Sequence, residues 1–281
     1  GASDEAGALD GAAAGMGLEA LVSKAPARPL PAEEPAAPFR PRLPQVLSFS
    51  HLSTYQYCPY RFFLQYLLRL PGRPAPAADA GVRIHAAIER LGENGGSWEE
   101  FRSWASAPVV ATELTREDDE PHPPTVDEET ALRNFWASEY GQTRPVASEQ
   151  EFFVRLGGAV VRGFIDRVHR RPDGSLEVVD FKTYNHLPSE EEVRRSLQLP
   201  LYVKACHEAL GLPEVRTAAL YFLKHDVTVR VRFDEAELQE RLRAAEQVVA
   251  LIQAGQWGPT PSRRGCSWCP YGEICPVSEA E

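Results

Sequence analysis

Residues 163–183 read GFIDRVHRRPDGSLEVVDFKT, and this stretch decides the fold. Its two halves are rich in β-branched and aromatic residues, and the Pro-Asp-Gly at 172–174 between them suits a three-residue hairpin loop. A hairpin centred on Asp173 pairs Asp166 with Asp180, and the two β-carbons then lie roughly 5 Å apart on neighbouring strands. The stretch therefore predicts a β-hairpin that brings two carboxylates together.

The surroundings of these carboxylates indicate a metal site. Apolar residues lie on both faces of the predicted hairpin, which places it in the interior of the protein. Opposed carboxylates in such a place repel each other and lose hydration unless a cation joins them. Lys182 shares the face of Asp180, and a site with a few carboxylate oxygens suits Mg²⁺ or Mn²⁺. An ordinary surface hairpin with Asp–Lys pairs remains the alternative for this stretch alone.

Regular structure is predicted on both sides of the hairpin. Residues 1–46 are rich in Ala, Gly, Pro and Glu and are expected to form a disordered linker or tail, which leaves 47–281 as one ordered domain. Apolar periodicity in that domain predicts helices over 51–68, 81–91, 126–140, 189–210 and 234–254, and strands over 150–156, 159–170, 176–183, 215–224 and 227–233. This order is typical of a mixed α/β fold.

Length and composition limit the class of protein. The chain has 281 residues, of which 43% are apolar, so it can bury one large core. No apolar run is long enough for a membrane helix and no secretory signal is evident, so a cytoplasmic location without membrane contact is expected. The chain begins with Gly1 and its only methionine is Met16, which favours the C-terminal part of a longer protein.

Four short motifs occur in a fixed order along the domain. They are Gly-x-x-x-His at 81–85, Gly-x-x-Asp at 163–166, Asp-x-Lys at 180–182 and Gln-x-x-x-Tyr at 198–202. Each motif alone is weak, but the series resembles the RecB-like branch of the PD-(D/E)XK nuclease superfamily. The resemblance implies a mixed central sheet flanked by helices, with helical elements before it. It also implies a divalent-metal-dependent deoxyribonuclease that hydrolyses DNA in repair or recombination, with single-stranded DNA as the expected substrate.

The same resemblance implies roles for single residues. His85, Asp166, Asp180 and the backbone carbonyl of Phe181 would bind the metal. The remaining motif residues, Lys182, Gln198 and Tyr202, would assist catalysis or shape the site. Two alternatives stay open, since a lone histidine such as His85 is often structural and Gln198 with Tyr202 could be a packed polar pair.

The formal net charge of −10 weakens a DNA-binding function without excluding it. Phosphate affinity comes from Lys and Arg, so a chain this acidic does not bind DNA over its whole surface. A nuclease that holds DNA in one groove needs only a local basic strip. We expect Arg162, Arg167, Arg194 and Arg195 to contribute to that strip.

Four of the five cysteines form a second pattern. Cys266, Cys269 and Cys275 are clustered, and Cys58 precedes Cys266 by 208 positions. A reducing compartment favours metal ligation over disulfides, and three close ligands with a distant fourth differ from the two close pairs of a zinc ribbon. The pattern resembles the iron–sulfur staple of AddB-like members of the branch, which implies a [4Fe–4S] cluster that holds the domain closed. Zinc, disulfides and spare thiols are the alternatives, and Cys206 is expected to be a buried thiol.

The segment from Leu47 to Pro59 is similar to the entry into nuclease domains at the C-termini of UvrD-type helicases. This resemblance implies a helicase domain in the same polypeptide or complex as a partner. Two other functions remain open: a nuclease-like domain that binds DNA or a helicase without cutting, and a zinc-stapled interaction domain.

Overall fold

A computed structural model describes residues 41–72, 78–106, 128–184 and 186–279. Its centre is a six-stranded mixed sheet in which the strands follow the order β1-β3-β4-β5-β6, with β2 paired to β3. The β1–β3 and β4–β5 pairs are parallel, and the others are antiparallel. The strands are β1 (Val46–Ser48), β2 (Ala147–Leu156), β3 (Ala159–Arg170), β4 (Leu176–Lys182), β5 (Thr217–Phe222) and β6 (Val227–Arg232).

Helices flank this sheet, which confirms the predicted mixed α/β fold. A π-helix at Phe63–Leu67 follows the second α-helix. The α-helices are α1 (Phe49–Tyr57), α2 (Pro59–Phe62), α3 (Ala78–Asn94), α4 (Trp98–Ala105), α5 (Glu128–Ala137), α6 (Glu139–Gln142), α7 (Glu190–Arg195), α8 (Gln198–Glu208), α9 (Glu235–Gln253) and α10 (Arg263–Ser267). Within the described ranges, no helix combines the length and the apolar character that crossing a membrane requires.

The two faces of the sheet bury two separate apolar clusters. The first cluster packs β2 and β3 against α1, α8 and α9, whereas the second packs β4 and β5 against α3, α4 and α5. Strand β4 contributes to both by alternation, since Val178 lies in the first cluster and Val179 and Phe181 lie in the second. The hairpin is therefore interior, as its apolar faces predict.

The turn of this hairpin has the predicted geometry. Gly174 has a φ of +83°, in the left-handed region that glycine adopts without a steric penalty. The amide of Gly174 donates to the carbonyl oxygen of Arg171 at 2.9 Å, and the amide of Arg171 donates to that of Ser175 at 2.9 Å. These bonds fix the register of β3 against β4.

The predicted helix over 51–68 is wrong as a single element. It begins at Phe49 behind an N-cap at Ser48 and ends at Tyr57, and a new helix begins at Pro59. Cys58 between them is extended, because the residue before a proline is disfavoured in the helical region. The predicted helix over 189–210 is likewise divided, into α7 and α8, around Ser196 and Leu197.

Other boundaries differ from the sequence prediction in smaller ways. Helix α4 and strand β1 were not predicted, and the helix predicted over 126–140 is described only from Glu128, where it forms α5 and α6. Residues 1–40 of the predicted linker lie outside the described residues, and Val46 at its end opens β1.

Candidate metal site and cysteine cleft

Strand β3 changes partners along one edge, and the candidate site lies where it does so. On that edge β1 pairs with Val160–Arg162, and β4 pairs with Arg167–Arg170. Residues 163–166 lie between these two partners. A gap of this kind between diverging strands leaves room for a ligand at the level of the sheet.

The observed register between β3 and β4 agrees with the register predicted from the turn. Arg167 pairs with Val179 and Val168 with Val178, so the next position along the hairpin opposes Asp166 and Asp180. The Asp166 carboxylate accepts a hydrogen bond of 2.8 Å from the backbone amide of Phe181. Asp166 is therefore anchored to the neighbouring strand by its side chain.

Strands β2 and β3 are distorted beside Asp166. Glu149 is the β2 residue that faces Asp166 in register, and its φ of +48° is unusual for a residue other than glycine. Beyond this point β3 reverses its alternation, since Ile165 and Val168 both pack into the first apolar cluster. Strict alternation would have put them on opposite faces, so a period of two does not hold along the whole of β3. Strain of this kind is concentrated at functional sites.

His85 reaches the site because α3 approaches the sheet closely. A β-carbon on Gly81 would lie 2.9 Å from the Thr183 hydroxyl oxygen, so a larger residue would force the helix or the Thr183 side chain to shift. His85 follows one helical turn later, and its Nδ1 lies 3.5 Å from Oδ2 of Asp166. The four-residue spacing in the Gly-x-x-x-His motif therefore has a structural reason: Gly81 contacts the sheet, and His85, one turn later, points to the metal site.

Three side chains are arranged to share one metal ion. His85, Glu149 and Asp166 each place a ligand atom within 4.8 Å of the other two. One imidazole and two carboxylates suit a divalent cation such as Mn²⁺ or Mg²⁺. Sequence reasoning missed Glu149, because it lies outside the four motifs and its position opposite Asp166 depends on the β2–β3 register. A register argument extended to that second hairpin would have identified it.

Asp180 lies in a polar network beside this group. Its Oδ1 accepts hydrogen bonds from the Gln198 amide at 2.9 Å and the Tyr202 hydroxyl at 3.0 Å, and its Oδ2 lies 3.0 Å from Nζ of Lys182. Gln198 and Tyr202 are themselves hydrogen-bonded at 3.0 Å. The two residues are therefore more than a packed pair, because both orient the Asp180 carboxylate. Asp180, which was predicted as a metal ligand, is not one of the three residues whose ligand atoms lie within 4.8 Å of one another.

A glycine also supports this network from β3. A β-carbon on Gly163 would lie 2.5 Å from the ring of Phe152, so the absence of a side chain lets that ring cross the strand. The same ring packs edge-on against Tyr202, with 6.0 Å between ring centres. Gly163 thus acts through packing to hold the hydroxyl group that orients Asp180.

The expected basic strip is only partly present. Arg167 is buried and donates to the backbone carbonyl of Thr143, and burial lowers its pKa to about 10. It therefore does not face DNA, and that prediction is wrong. Arg194 and Arg195 are paired with glutamates one helical turn away. Arg162 lies on an open face of β3 beside the site, where it pairs with Glu151 at 2.5 Å.

The four cysteines of the predicted iron–sulfur motif line one cleft. Cys58, Cys266, Cys269 and Cys275 line this cleft, which lies between the segment after α1 and the C-terminal segment. Burial is the main cause that raises the pKa of the Cys269 thiol, and the nearby thiols of Cys58 and Cys275 add to it. The cysteines are not disulfide-bonded.

Tyrosine hydroxyls join the chain segments that lie on either side of this cleft. Tyr55 donates to the carbonyl of Gln256 at 2.6 Å, Tyr57 to that of Gly265 at 2.8 Å, and Tyr271 to that of Leu70 at 2.9 Å. Each bond joins residues about 200 positions apart. These bonds close the chain on itself around the cysteines.

The arrangement of the thiols bears on which metal they suit. Cys206 does not form a cluster with Cys58 and Cys266, since it is fully buried on α8 and lies outside the cleft lining. Among the described cysteines no three sulfurs lie within 4.8 Å of one another, whereas thiolates that share a zinc ion lie about 4 Å apart. The cysteines line a common space but do not outline a mononuclear site. Burial raises the pKa of the Cys206 thiol to about 12, as expected for an inert buried thiol.

Comparison with known proteins gives one family and several distant relatives. The PD-(D/E)XK nuclease superfamily matches residues 46–276. One component of an ATP-dependent helicase/deoxyribonuclease from Streptococcus mutans is 28% identical over 216 residues, which cover 70% of this chain and 20% of that protein. The Gene 69 protein of Mycobacterium phage L5 is 32% identical over 153 residues, which cover 52% of this chain and 50% of that protein.

A solved structure is also similar in outline. A candidate exonuclease from Eubacterium rectale superposes with a TM-score of 0.49 at 13% identity, covering 84% of this chain and 90% of that chain. The chain spans about a fifth of the length of the streptococcal relative and about half of the phage relative.

Proposed function

The chain belongs to the PD-(D/E)XK nuclease superfamily, and from this premise we propose that it is a divalent-metal-dependent deoxyribonuclease acting on single-stranded DNA. The observation that carries the proposal is the meeting of His85, Glu149 and Asp166 within 4.8 Å, beside the Asp180–Lys182 pair. Three buried or half-buried ligands in a gap of the sheet are costly to assemble unless a cation joins them. Lys182 pairs with Asp180 on β4, the strand whose Phe181 amide binds the Asp166 carboxylate.

The proposed residue roles follow from position. His85, Glu149 and Asp166 would hold Mg²⁺ or Mn²⁺, with Asp180 and the Phe181 carbonyl at its margin. A bound ion of this kind polarises a phosphate and lowers the pKa of a coordinated water. Lys182, held by Asp180 at 3.0 Å, places a fixed positive charge where negative charge develops on the phosphate.

Gln198 and Tyr202 are proposed as positioning residues. Each donates a hydrogen bond to Oδ1 of Asp180, which leaves Oδ2 to face Lys182. Because both donors lie on α8, the orientation of Asp180 depends on the packing of that helix against the sheet. This arrangement supports a site that is formed before substrate binds.

A [4Fe–4S] cluster is proposed for the cysteine cleft. The supporting observation is that Cys58, Cys266, Cys269 and Cys275 line one space with no disulfide among them. A cubane cluster binds each thiolate through a different iron, so its ligands surround a space wider than that of a single zinc ion. The cluster would join Cys58 to the C-terminal segment, and its role would be to hold the domain closed.

The partner is proposed from the relatives. The streptococcal relative is named as part of a helicase/deoxyribonuclease and is several times longer than this chain. We infer that this domain also works with a helicase, in the same polypeptide or in a complex, in the cytoplasm. Repair or recombination is the process that such a pair would serve.

Cleavage of end-labelled single-stranded DNA tests the proposed activity. With Mn²⁺ or Mg²⁺ present, the full 281-residue chain should shorten the oligonucleotide, and EDTA should stop the reaction, because removal of the ion removes the polarising charge. Gel analysis of the labelled products checks this and shows whether cutting starts at an end. If the chain binds the oligonucleotide but leaves it intact both with Mn²⁺ and with Mg²⁺, it is a nuclease-like binding domain and the proposal fails.

A further inference from the structure

The open face of the β2–β3 hairpin extends directly from the candidate metal site. Val161 and Ile165 of β3 pack into the first apolar cluster, so Arg162, Phe164 and Asp166 leave the strand on the other side. His85 meets Asp166 on that side, which confirms the direction. Two residues of a strand span roughly 7 Å, so Phe164 and Arg162 follow Asp166 at regular steps away from the site.

Strand β2 supplies the other half of this face. Phe153 pairs with Arg162 and Glu151 with Phe164, and directly opposed residues of antiparallel strands share a face. Phe153 is 54% exposed, although the residues on either side of it in β2, Phe152 and Val154, are buried. A large aromatic side chain is therefore presented to solvent by a rigid strand.

The chemistry of this face suits nucleic acid. The Arg162 guanidinium lies over the Phe164 ring, 5.2 Å from its centre, and Arg155 is exposed two residues beyond Phe153. Phe153 and Phe164 are diagonal neighbours across the pair, close enough for two bases to stack side by side. The face thus combines the exposed ring of Phe153, the half-buried ring of Phe164 and two arginines. Aromatic rings beside arginines are the usual combination for binding single strands without sequence preference.

We propose that this face, defined by Phe153, Arg155, Arg162 and Phe164, binds the nucleotides adjacent to the scissile phosphate of a single strand of DNA. The proposal rests on the proposed nuclease function and names the surface that holds its substrate. Phe153 and Phe164 stack on bases, and Arg155 and Arg162 contact phosphates. Duplex DNA does not fit this role, because its bases are already stacked on each other.

One acidic residue on the face modulates binding. Glu151 forms an ion pair with Arg162 at 2.5 Å, and both side chains are about two-fifths exposed. A phosphate that approaches Arg162 competes with this carboxylate. Glu151→Gln therefore strengthens binding of single strands, in contrast to the loss expected for any substitution of the arginines.

Fluorescence anisotropy with a labelled oligothymidylate in EDTA tests the proposal without cleavage. Phe153→Ala raises the Kd roughly 5- to 100-fold because one stacked base is lost. Phe153→Trp keeps the wild-type Kd. Because Phe153 is largely exposed, its replacement leaves the thermal unfolding midpoint unchanged. Leu251→Ala is the matched control, since Leu251 is a 41% exposed apolar residue on α9, which packs on the opposite face of the sheet.

Two outcomes separate this proposal from the proposed function. A wild-type Kd for Phe153→Ala, with unchanged KM in the Mn²⁺ cleavage assay, overturns the binding face while the nuclease function stands. A wild-type chain that binds the oligonucleotide through Phe153 but does not cleave it overturns the nuclease function while the binding face stands. An equal loss for Leu251→Ala also overturns the proposal, because the effect would then not belong to this face.

Discussion

Asp180→Asn should reduce the rate of DNA cleavage by about 10³-fold. The asparagine keeps the size of the side chain and an oxygen that can accept from Gln198 and Tyr202. It removes the negative charge that faces the Lys182 ammonium at 3.0 Å. Lys182 then loses the partner that fixes it, and the site loses a carboxylate next to the ion. Single-turnover cleavage at saturating Mn²⁺ measures the effect.

Glu177→Gln is the matched control for Asp180→Asn. Glu177 is a fully buried carboxylate on the same strand, but it pairs with Arg230 at 3.0 Å and accepts from the Tyr140 hydroxyl at 2.9 Å, outside the site. Its replacement should lower the free energy of unfolding and leave the rate per folded molecule close to that of the wild type. If both variants lose the same rate, the loss comes from removing a buried charge from β4 and not from a role of Asp180 in the reaction.

Cys58→Ser should remove the iron from the protein and lower its unfolding midpoint. A link that closes a loop of more than 200 residues stabilises the folded state by about 5 kcal/mol, which corresponds to roughly 10–20 °C for a domain of this size. The wild-type chain, purified without oxygen, should be brown and carry about four irons. Iron analysis and thermal unfolding of both proteins check this expectation.

Cys206→Ser provides the comparison for this second prediction. Cys206 is a fully buried thiol on α8 and does not line the cleft, so its replacement should keep the iron content of the wild type. Colourless wild-type protein with stoichiometric zinc would reject the cluster. Iron that persists in Cys58→Ser would instead show that the distant cysteine is not a ligand.

The hairpin and the order of the motifs were predictable because their signals are local. The Pro-Asp-Gly turn sets the register of β3 against β4, and that register alone opposes Asp166 to Asp180. Two of the four motifs contain a glycine, and a β-carbon on either would crowd a neighbouring side chain, Thr183 for Gly81 and Phe152 for Gly163. The sequence therefore contains enough information to place these residues together.

The remainder of the site depends on contacts between segments that lie far apart along the chain. Glu149 enters the site only through the β2–β3 register and a left-handed backbone conformation that glutamate does not favour by itself. The same distortion reverses the alternation of β3, so a period of two cannot be carried through it. Pro59 explains the division of the first helix, and its effect could have been predicted from the sequence. The burial of Arg167, in contrast, depends on a contact with Thr143 that no local pattern reveals.

Anomalous scattering from crystals grown with Mn²⁺ tests the central claim most directly. We expect a peak bonded to His85, Glu149 and Asp166, at about 2.0–2.2 Å from their ligand atoms, since those atoms already lie within 4.8 Å of one another. The peak should disappear in Asp166→Ala crystals grown under the same conditions. A manganese peak elsewhere, or a peak that survives in Asp166→Ala, would contradict the account.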